Sequence, residues 1–201
     1  MLKNIIFDVG GVIINYNNNS YYYSPYLTKE TGLSKEEIRK RIETRLLQLF
    51  EEARISKAEF CRSLAKSLGI SQSRVRWAET FEEQARINMQ TIETIRMLKR
   101  RYVIAYFSNV DYSRYAHARK MLKPYASLFD FKFASCVLRV AKPKARAFRI
   151  VLKRMGAKAE ETLFIDDSAK NVLGASTAGL KSVLFKDNKQ LRKDLHRLGV
   201  I

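Results

Sequence analysis

The chain has 201 residues, of which 46% are apolar and 29% are charged, with only 8 Gly and 3 Pro. This composition excludes collagen-like and disordered chains and allows one compact unit with an inserted or appended subdomain. Lys and Arg outnumber Asp and Glu by 38 to 20, and the resulting net charge of +18 indicates either an anionic partner (a phosphorylated metabolite, nucleic acid or an anionic membrane surface) or a charge that serves solubility.

The first predicted element is a strand over residues 2–9, LKNIIFDV. An apolar run that ends in Asp8 and is followed by Gly10 and Gly11 is typical of a buried parallel strand that enters a tight turn. The longest apolar stretch, residues 4–14, is too short to cross a bilayer, and no charged-then-apolar leader precedes it. We therefore expect a cytoplasmic protein with no membrane partner. The polar and aromatic stretch over residues 17–25 predicts a loop.

The next part of the chain, residues 34–86, predicts helices throughout. Ser34 followed by Glu37 and Ser56 followed by Glu59 both have the spacing of a capping box at a helix N-terminus. Apolar residues at helical spacing follow each box, and Gly69 is placed to end the second helix. A further helix is predicted over residues 71–86.

From residue 89 onward, strands alternate with helices. This alternation predicts right-handed crossovers and a parallel sheet covered on both faces. The fold class is therefore α/β, a doubly wound Rossmann-like parallel sheet with a small helical cap inserted after the first strand. The core is assigned to 1–14 and 89–201, and the cap to 15–88. The predicted strands are 102–107, 130–135, 162–165 and 181–185, and the predicted helices are 89–99, 112–122, 145–155, 169–178 and 190–198.

Charge and cysteine positions add two further expectations. Residues 15–88 carry a formal charge of +3, and the remainder carries +15, so the basic excess belongs to the α/β part. Cys61 and Cys136 are far apart and belong to no Cys/His cluster, which indicates neither a disulfide scaffold nor a structural zinc site.

Polar residues stand at four predicted strand ends, where doubly wound sheets bind ligands. Three of the 10 acids in the α/β part lie there, although this part of the chain is otherwise poor in carboxylates. Clustered carboxylates repel one another, and Mg²⁺ is the natural cation to keep them ionised. The pattern predicts a phosphoryl-transfer site, with one carboxylate attacking phosphorus. The four positions are Asp8, Ser108-Asn109, Lys142-Pro143 and Asp166-Asp167.

These residues lie in four motifs, in this order: F-D-V-G-G-V (residues 7–12), S-N (108–109), K-P (142–143) and F-I-D-D-S-A-K-N-V (164–172). Together the motifs resemble those of the haloacid dehalogenase-like hydrolases, and the helical insert resembles the small helical cap of that superfamily. The resemblance spans nearly the whole chain. It implies a Mg²⁺-dependent phosphohydrolase that acts on a small phosphorylated metabolite, with a sugar phosphate as one candidate.

The resemblance also implies a role for each matched position in the metal and nucleophile site. Asp8 would be the nucleophile and a metal ligand, and the carbonyl oxygen of Gly10 would be another ligand. Asp166 would hold Mg²⁺, and Asp167 would act on the ion directly or through a bound water.

The remaining matched positions imply a phosphate site. Ser108 would bind the phosphoryl oxygens with help from the backbone N–H of Asn109, and Lys142 would balance the charge of nucleophile and phosphate. The cap, with the tyrosines at 21–23 at its entrance, would choose the substrate and exclude water.

The chain departs from the family pattern at several positions. Most phosphatases of the superfamily have a second Asp two residues after the nucleophile, which serves as general acid, but this chain has Gly10. Loss of a general acid typically costs about 10²–10⁴-fold in rate. Arg139, Lys144 and Arg146 replace residues that are usually uncharged or acidic, so we expect extra positive charge close to the phosphate.

Several alternatives stay open at this level. Each motif could be structural: Asp8 as a turn residue, Ser108 and Asp166 as helix caps, and Lys142 as a loop lysine. A second hypothesis is a catalytically degraded protein whose basic surface binds nucleic acid or another polyanion, although the chain has no known RNA- or DNA-binding motif. A third is that the basic charge steers phosphorylated substrates to the site. Dehalogenation is disfavoured because Asp166 and Asp167 resemble a metal site.

Overall fold

The computed structural model describes residues 1–16, 25–77 and 85–201. The first part of the chain forms strands β1 (Asn4–Phe7) and β2 (Ile14–Tyr16), helices α1 (Pro25–Thr31), α2 (Lys35–Ile42), α3 (Arg45–Glu51) and α4 (Lys57–Leu68), and strand β3 (Ala85–Ile87). The second part forms α5 (Met89–Leu98), β4 (Val103–Ser108), α6 (Tyr112–Leu122), β5 (Phe131–Ala134), α7 (Ser135–Leu138), α8 (Ala145–Met155), β6 (Thr162–Asp166), α9 (Ala169–Thr177), β7 (Lys181–Leu184) and α10 (Asn188–Arg197).

Five strands pair in one sheet in the order β5-β4-β1-β6-β7, and every pairing is parallel. β1 lies at the centre, with Phe7 opposite Tyr106 on one side and Ile165 on the other. The strand order reverses on either side of β1, which places a topological switch point beside its carboxyl end. The predicted α/β fold class is confirmed.

The alternation along β1 explains why Ile5, Ile6 and Phe7 are all apolar. Ile5 and Phe7 pack in the apolar cluster on one face of the sheet, whereas Ile6 packs in the cluster on the other face. A strand that is covered on both faces has no side for charged residues, so Lys3 and Asp8 lie just before and just after it.

Residues 25–77 have an apolar cluster of their own. The predicted capping boxes at Ser34 and Ser56 are both confirmed, and they start α2 and α4. Phe60 lies at the centre of this cluster, with its ring centroid 4.4 Å from that of Phe50 and 4.6 Å from that of Trp77. These helices therefore pack against one another around an aromatic centre rather than against the sheet.

The prediction of a helix over residues 71–86 is wrong where the structure describes it. A short 3₁₀ turn covers Gln72–Arg74, and Ala85 and Arg86 belong to β3, which pairs antiparallel with β2. The strand pairing satisfies the backbone of residues that the apolar spacing alone would assign to a helix. The segment from 34 to 86 is thus not helical throughout. Residues 78–84, like the predicted loop and tyrosines at 17–24, lie outside the described residues.

The boundaries of core (1–14 and 89–201) and cap (15–88) stay a prediction, with the β2–β3 pair lying where the chain would leave and re-enter the core. Within the described ranges, the helices lack the combination of length and hydropathy that crossing a bilayer requires.

Candidate active site at the carboxyl ends of the strands

A cleft of about 1480 Å³ lies over the carboxyl edge of the sheet, between the sheet and the helices of residues 25–77. Asp8 follows β1, Ser108 ends β4 and Asp166 ends β6. The pairing of β1 with β4 and β6 brings these three strand ends side by side. Lys142, from a fourth stretch of sequence, lies on the same wall of the cleft, as the sequence predicts. Asp8, Gly10, Ser108, Asn109, Lys142 and Asp167 all line the cleft.

The Lys142 ammonium is the centre of this site. Its Nζ donates to Asp8 Oδ1 at 2.6 Å, to Asp166 Oδ2 at 2.7 Å and to the carbonyl oxygen of Phe107 at 2.8 Å. The residue is only 2% exposed. Burial disfavours its charged form, but the Asp166 and Asp8 carboxylates outweigh burial and raise the pKa of Lys142 above its ordinary value. The lysine is thus held as a cation between two carboxylates.

Asp166 is fully buried and held from several directions. Its Oδ1 accepts from the backbone N–H of Ser168 at 2.8 Å, and the Asn171 amide donates to both carboxylate oxygens at 3.1 Å. Asn171 lies in the fourth motif but received no role from the sequence. Its spacing, five residues after Asp166 and on the first turn of α9, places its amide over the carboxylate.

The ionised forms of the other two carboxylates, those of Asp8 and Asp167, are disfavoured. Burial raises the pKa of Asp8 well above its usual value, and although the Lys142 charge lowers it, the charges of Asp166 and Asp167 raise it further. Asp167 keeps part of its side chain exposed to solvent, but partial desolvation in the cleft and the Asp166 charge raise its pKa to about 6. A bound cation would relieve this repulsion.

The donor set fits a hard divalent cation such as Mg²⁺. Carboxylate oxygens of Asp8, Asp166 and Asp167 lie within 4.8 Å of one another. Gly11, with φ at 77°, has no side chain where a Cβ would overlap the Asp167 carboxylate. An all-oxygen set that includes several anionic groups is the kind that Mg²⁺ prefers.

The backbone around Lys142 is fixed by the second motif. The side chain of Asn109 accepts from the Lys142 N–H and donates to the Lys142 carbonyl oxygen, both at 2.9 Å. Gly174 lacks the Cβ that would overlap the Pro143 carbonyl oxygen, so α9 can pack against this segment. The Asn109 side chain therefore places the lysine, a contact that its sequence position did not predict.

The three basic residues that were expected to add positive charge close to the phosphate do not add it to the wall of the cleft. Arg139, Lys144 and Arg146 do not line the cleft. Lys144 instead forms an ion pair with Glu52, and Arg139 donates to the carbonyl oxygen of Ala53 at 3.2 Å. The Lys144 and Arg139 side chains therefore both contact the segment just after α3. The sequence alone does not predict that this segment lies beside them.

Comparisons with known proteins agree on one family. The family model described as haloacid dehalogenase-like hydrolase matches residues 2–179. A sesquiterpene phosphatase of Aspergillus oryzae is 27% identical over 200 residues, which cover 98% of this chain and 96% of the relative. A D-ribitol-5-phosphate phosphatase of Bacteroides thetaiotaomicron is 24% identical over 206 residues, which cover 97% of each chain.

Solved structures share the fold over nearly the whole chain. A predicted HAD-like family hydrolase from Porphyromonas gingivalis superposes with a TM-score of 0.78 at 27% identity and covers 98% of both chains. A HAD family enzyme from Bacteroides thetaiotaomicron, in complex with magnesium and inorganic phosphate, superposes with a TM-score of 0.73 at 22% identity. That match covers 95% of this chain and 99% of the neighbour.

Proposed function

Because the chain belongs to the haloacid dehalogenase-like hydrolases, we propose that it is a Mg²⁺-dependent phosphatase of a small phosphorylated metabolite. The observation that carries this proposal is the contact of one buried ammonium, that of Lys142, with both Asp8 and Asp166. A lysine shared by two carboxylates at neighbouring strand ends is an arrangement for balancing charge during phosphoryl transfer.

Asp8 is the nucleophile in this proposal. Lys142 bonds to its Oδ1, and we assign the attack on phosphorus to Oδ2. The new bond joins Asp8 to phosphorus while the bond from phosphorus to the leaving-group oxygen breaks, and that oxygen keeps the electron pair. Water then attacks the aspartyl phosphate, which releases inorganic phosphate and regenerates the Asp8 carboxylate.

The remaining residues bind the phosphoryl group and the metal. Ser108 and the backbone N–H of Asn109 are placed to donate to phosphoryl oxygens, and Lys142 opposes their negative charge. Asp8, Asp166, Asp167 and the Gly10 carbonyl oxygen are the proposed metal ligands. Bound Mg²⁺ supplies positive charge that keeps the carboxylates ionised and polarises the phosphoryl oxygens.

Gly10 cannot donate a proton to the leaving group. The departing oxygen must take its proton from water or leave without one, which favours substrates with acidic leaving groups. For this reason, p-nitrophenyl phosphate is the substrate that tests the site most directly.

The first prediction is that the purified protein hydrolyses p-nitrophenyl phosphate in the presence of Mg²⁺. After treatment with EDTA, we expect the rate to fall by about 100-fold or more, because the carboxylates would repel both one another and the phosphate. Restoring excess Mg²⁺ should restore the rate. Full activity in EDTA would contradict the metal-dependent mechanism, and an inactive protein with bound Mg²⁺ would contradict the phosphatase assignment for this substrate.

The second prediction concerns the substrate class. The cap side of the cleft presents mostly polar side chains from α2, α3 and the turn between them, with Leu47 and the Tyr16 ring as its less polar members among the described residues. Burying a hydrocarbon chain there would leave polar groups unpaired. The polar side chains are those of Arg39, Glu43, Thr44, Arg45, Gln48 and Glu51.

Among alkyl phosphates, which all lack proton donation from residue 10, we therefore propose a polyhydroxylated phosphate rather than a prenyl phosphate as substrate. Turnover of D-ribitol 5-phosphate should exceed that of farnesyl phosphate by about tenfold or more in kcat/KM. Gln48→Leu, which replaces one polar lining group by an apolar one, should narrow or reverse this ratio. A wild-type preference for farnesyl phosphate would overturn the assignment.

A further inference from the structure

The Glu52 carboxylate is a buried acidic group that the proposed chemistry does not use. Glu52 follows α3 directly in the predicted cap, and it is only 2% exposed. Its Oε1 accepts from the backbone N–H of Ala141 at 3.2 Å and forms an ion pair with the Lys144 ammonium. Arg54 lies farther away, with its Nε 3.9 Å from Glu52 Oε2.

The two partners of Glu52 Oε1 lie on either side of Lys142. The segment turns so that the N–H of Lys144 donates to the carbonyl oxygen of Ala141 at 3.3 Å. One carboxylate oxygen therefore holds both ends of the turn in which Lys142 sits. Within the turn, Lys142 is held by the core through Asn109 and the two catalytic carboxylates.

The segment 141–144 is thus anchored from two sides. The core fixes Lys142 and, through the close approach of Gly174, Pro143. The predicted cap fixes Ala141 and Lys144 through Glu52. Buried polar groups that are fully bonded hold one conformation, and a displacement of about 1 Å at a catalytic group can cost about 100-fold in rate.

Neighbouring contacts join the same two parts of the chain. Ser135 Oγ donates to the carbonyl oxygen of Glu51 at 2.7 Å, and Trp77 Nε1 donates to Asp111 Oδ2 at 3.0 Å. Trp77 is the single tryptophan of the chain and is 3% exposed. Its fluorescence therefore reports whether the cap is seated on the core.

We propose that Glu52 is a positioning residue that seats Lys142 when the cap rests on the core. The inference rests on the proposed function, because it assigns Lys142 a part in phosphoryl transfer. Moving the cap away from this interface withdraws the acceptor from Ala141, so the lysine segment keeps its core contacts but loses its second anchor.

The test compares Glu52→Ala, Glu52→Gln and the control Glu30→Ala. The amide oxygen of Gln can still accept from Ala141, whereas Ala cannot. Glu30 is also a cap carboxylate, but its partner Arg74, at 2.8 Å, belongs to the cap as well, so the pair does not join cap and core. The measurements are kcat and KM for p-nitrophenyl phosphate in saturating Mg²⁺, and hydrogen–deuterium exchange of peptides that span residues 139–144.

We expect Glu52→Ala to lower kcat by about 10- to 100-fold with KM within threefold of the wild-type value. Its 139–144 amides should exchange at least tenfold faster, and acrylamide should quench Trp77 more strongly. Glu52→Gln should recover kcat to within about threefold, and Glu30→Ala should match the wild type in every measurement. A purely structural role would lower thermal stability without the kcat loss and its recovery by Gln.

Lys144→Glu tests the same contact from the core side if Glu52→Ala does not fold. The Lys144 side chain is 37% exposed, so the substitution can be accommodated, and it places two carboxylates together. We expect lower kcat and faster exchange over 139–144. Wild-type kcat and exchange in either variant would overturn the proposal. If the wild-type protein has no phosphatase activity but the variants still exchange faster over residues 139–144, the anchoring role of Glu52 is supported and the proposed function is rejected.

Discussion

Replacement of Asp8 by Asn should lower kcat for p-nitrophenyl phosphate by a factor on the order of 10⁴ or more. Asn has nearly the same shape as Asp and can still accept a hydrogen bond from Lys142 through its amide oxygen. It carries no negative charge, however, and cannot form the aspartyl phosphate. Because a nucleophile acts as part of one catalytic unit, its loss removes most of the rate that the site provides.

The matched control for this variant is Asp130→Asn. Asp130 lies at the opposite, amino edge of the sheet, where its Oδ2 accepts from the Ile104 N–H at 2.9 Å, and an Asn oxygen can keep that bond. We expect the control to retain wild-type kcat. Comparable activity in Asp8→Asn and wild type would remove Asp8 as the nucleophile.

Thermal unfolding separates lost chemistry from lost structure in the Asp8 variant. Burial raises the pKa of Asp8, so the folded protein holds its anion at a cost. A neutral Asn removes that cost, and without metal the variant should unfold at the wild-type temperature or above. Greater stability together with lost activity is the expected signature of a group kept for function.

Much of the core could be predicted because its signals are local. Apolar runs that end in a polar residue predict β1, β4 and β6. Ser34 and Ser56, each followed three residues later by Glu, predict the N-termini of two helices. The four strand ends also follow from local sequence, since parallel strands bring their carboxyl ends to one edge. The family match confirms the resemblance drawn from those motifs.

The contacts between the predicted cap and the core could not be predicted. Glu51 is the last residue of α3 and Glu52 follows it, and an acidic pair at the end of an amphipathic helix is typical of a solvated helix end. Their partners Arg114 and Ala141 stand 63 and 89 residues away. β3 was missed for a related reason, since three residues, Ala85–Ile87, carry too little alternation to mark a strand without their pairing partner.

The largest stability effect is expected at Arg114, which joins α6 to the end of α3. Its Nε donates to Asp111 Oδ2 at 2.5 Å and its Nη2 to Glu51 Oε1 at 2.9 Å, and all three side chains are at most 6% exposed. Its guanidinium carbon also lies 5.0 Å from the centroid of the Trp77 ring. Arg114→Met keeps much of the side-chain volume but leaves two buried carboxylates without this cation. We expect a loss of about 3–5 kcal/mol in the free energy of unfolding.

The pH dependence of stability gives a second readout for the same cluster. Burial alone would raise the pKa of Asp111, but Arg114 and hydrogen bonds from Ser113 and Trp77 outweigh it and lower the pKa to about 2. A folded-state pKa below the unfolded value of 3.8 contributes stability above about pH 4 and loses it as the pH falls towards 2. In Arg114→Met the pKa of Asp111 should rise, so this acid-sensitive contribution should shrink or change sign.

The control for Arg114 is Arg74→Met, measured by urea unfolding at pH 7 and at pH 3. Arg74 pairs with Glu30 at the surface, with side chains 61% and 19% exposed, and an exposed pair contributes about 0–1 kcal/mol. Equal losses in the two variants would show that the buried cluster adds nothing beyond a surface pair.

A double variant distinguishes two explanations of a large loss in the free energy of unfolding of Arg114→Met. Breaking a buried ion pair is costly mainly because it strands the partner's charge, so Glu51→Gln in the Arg114→Met background should recover about 1–3 kcal/mol. Recovery would mean that the intact cluster contributes far less net stability than the single variant suggests. The cluster would then serve chiefly to fix where the end of α3 meets the core, which is the placement that brings Glu52 to Ala141. Additive losses in the double variant would instead make the cluster a net source of stability.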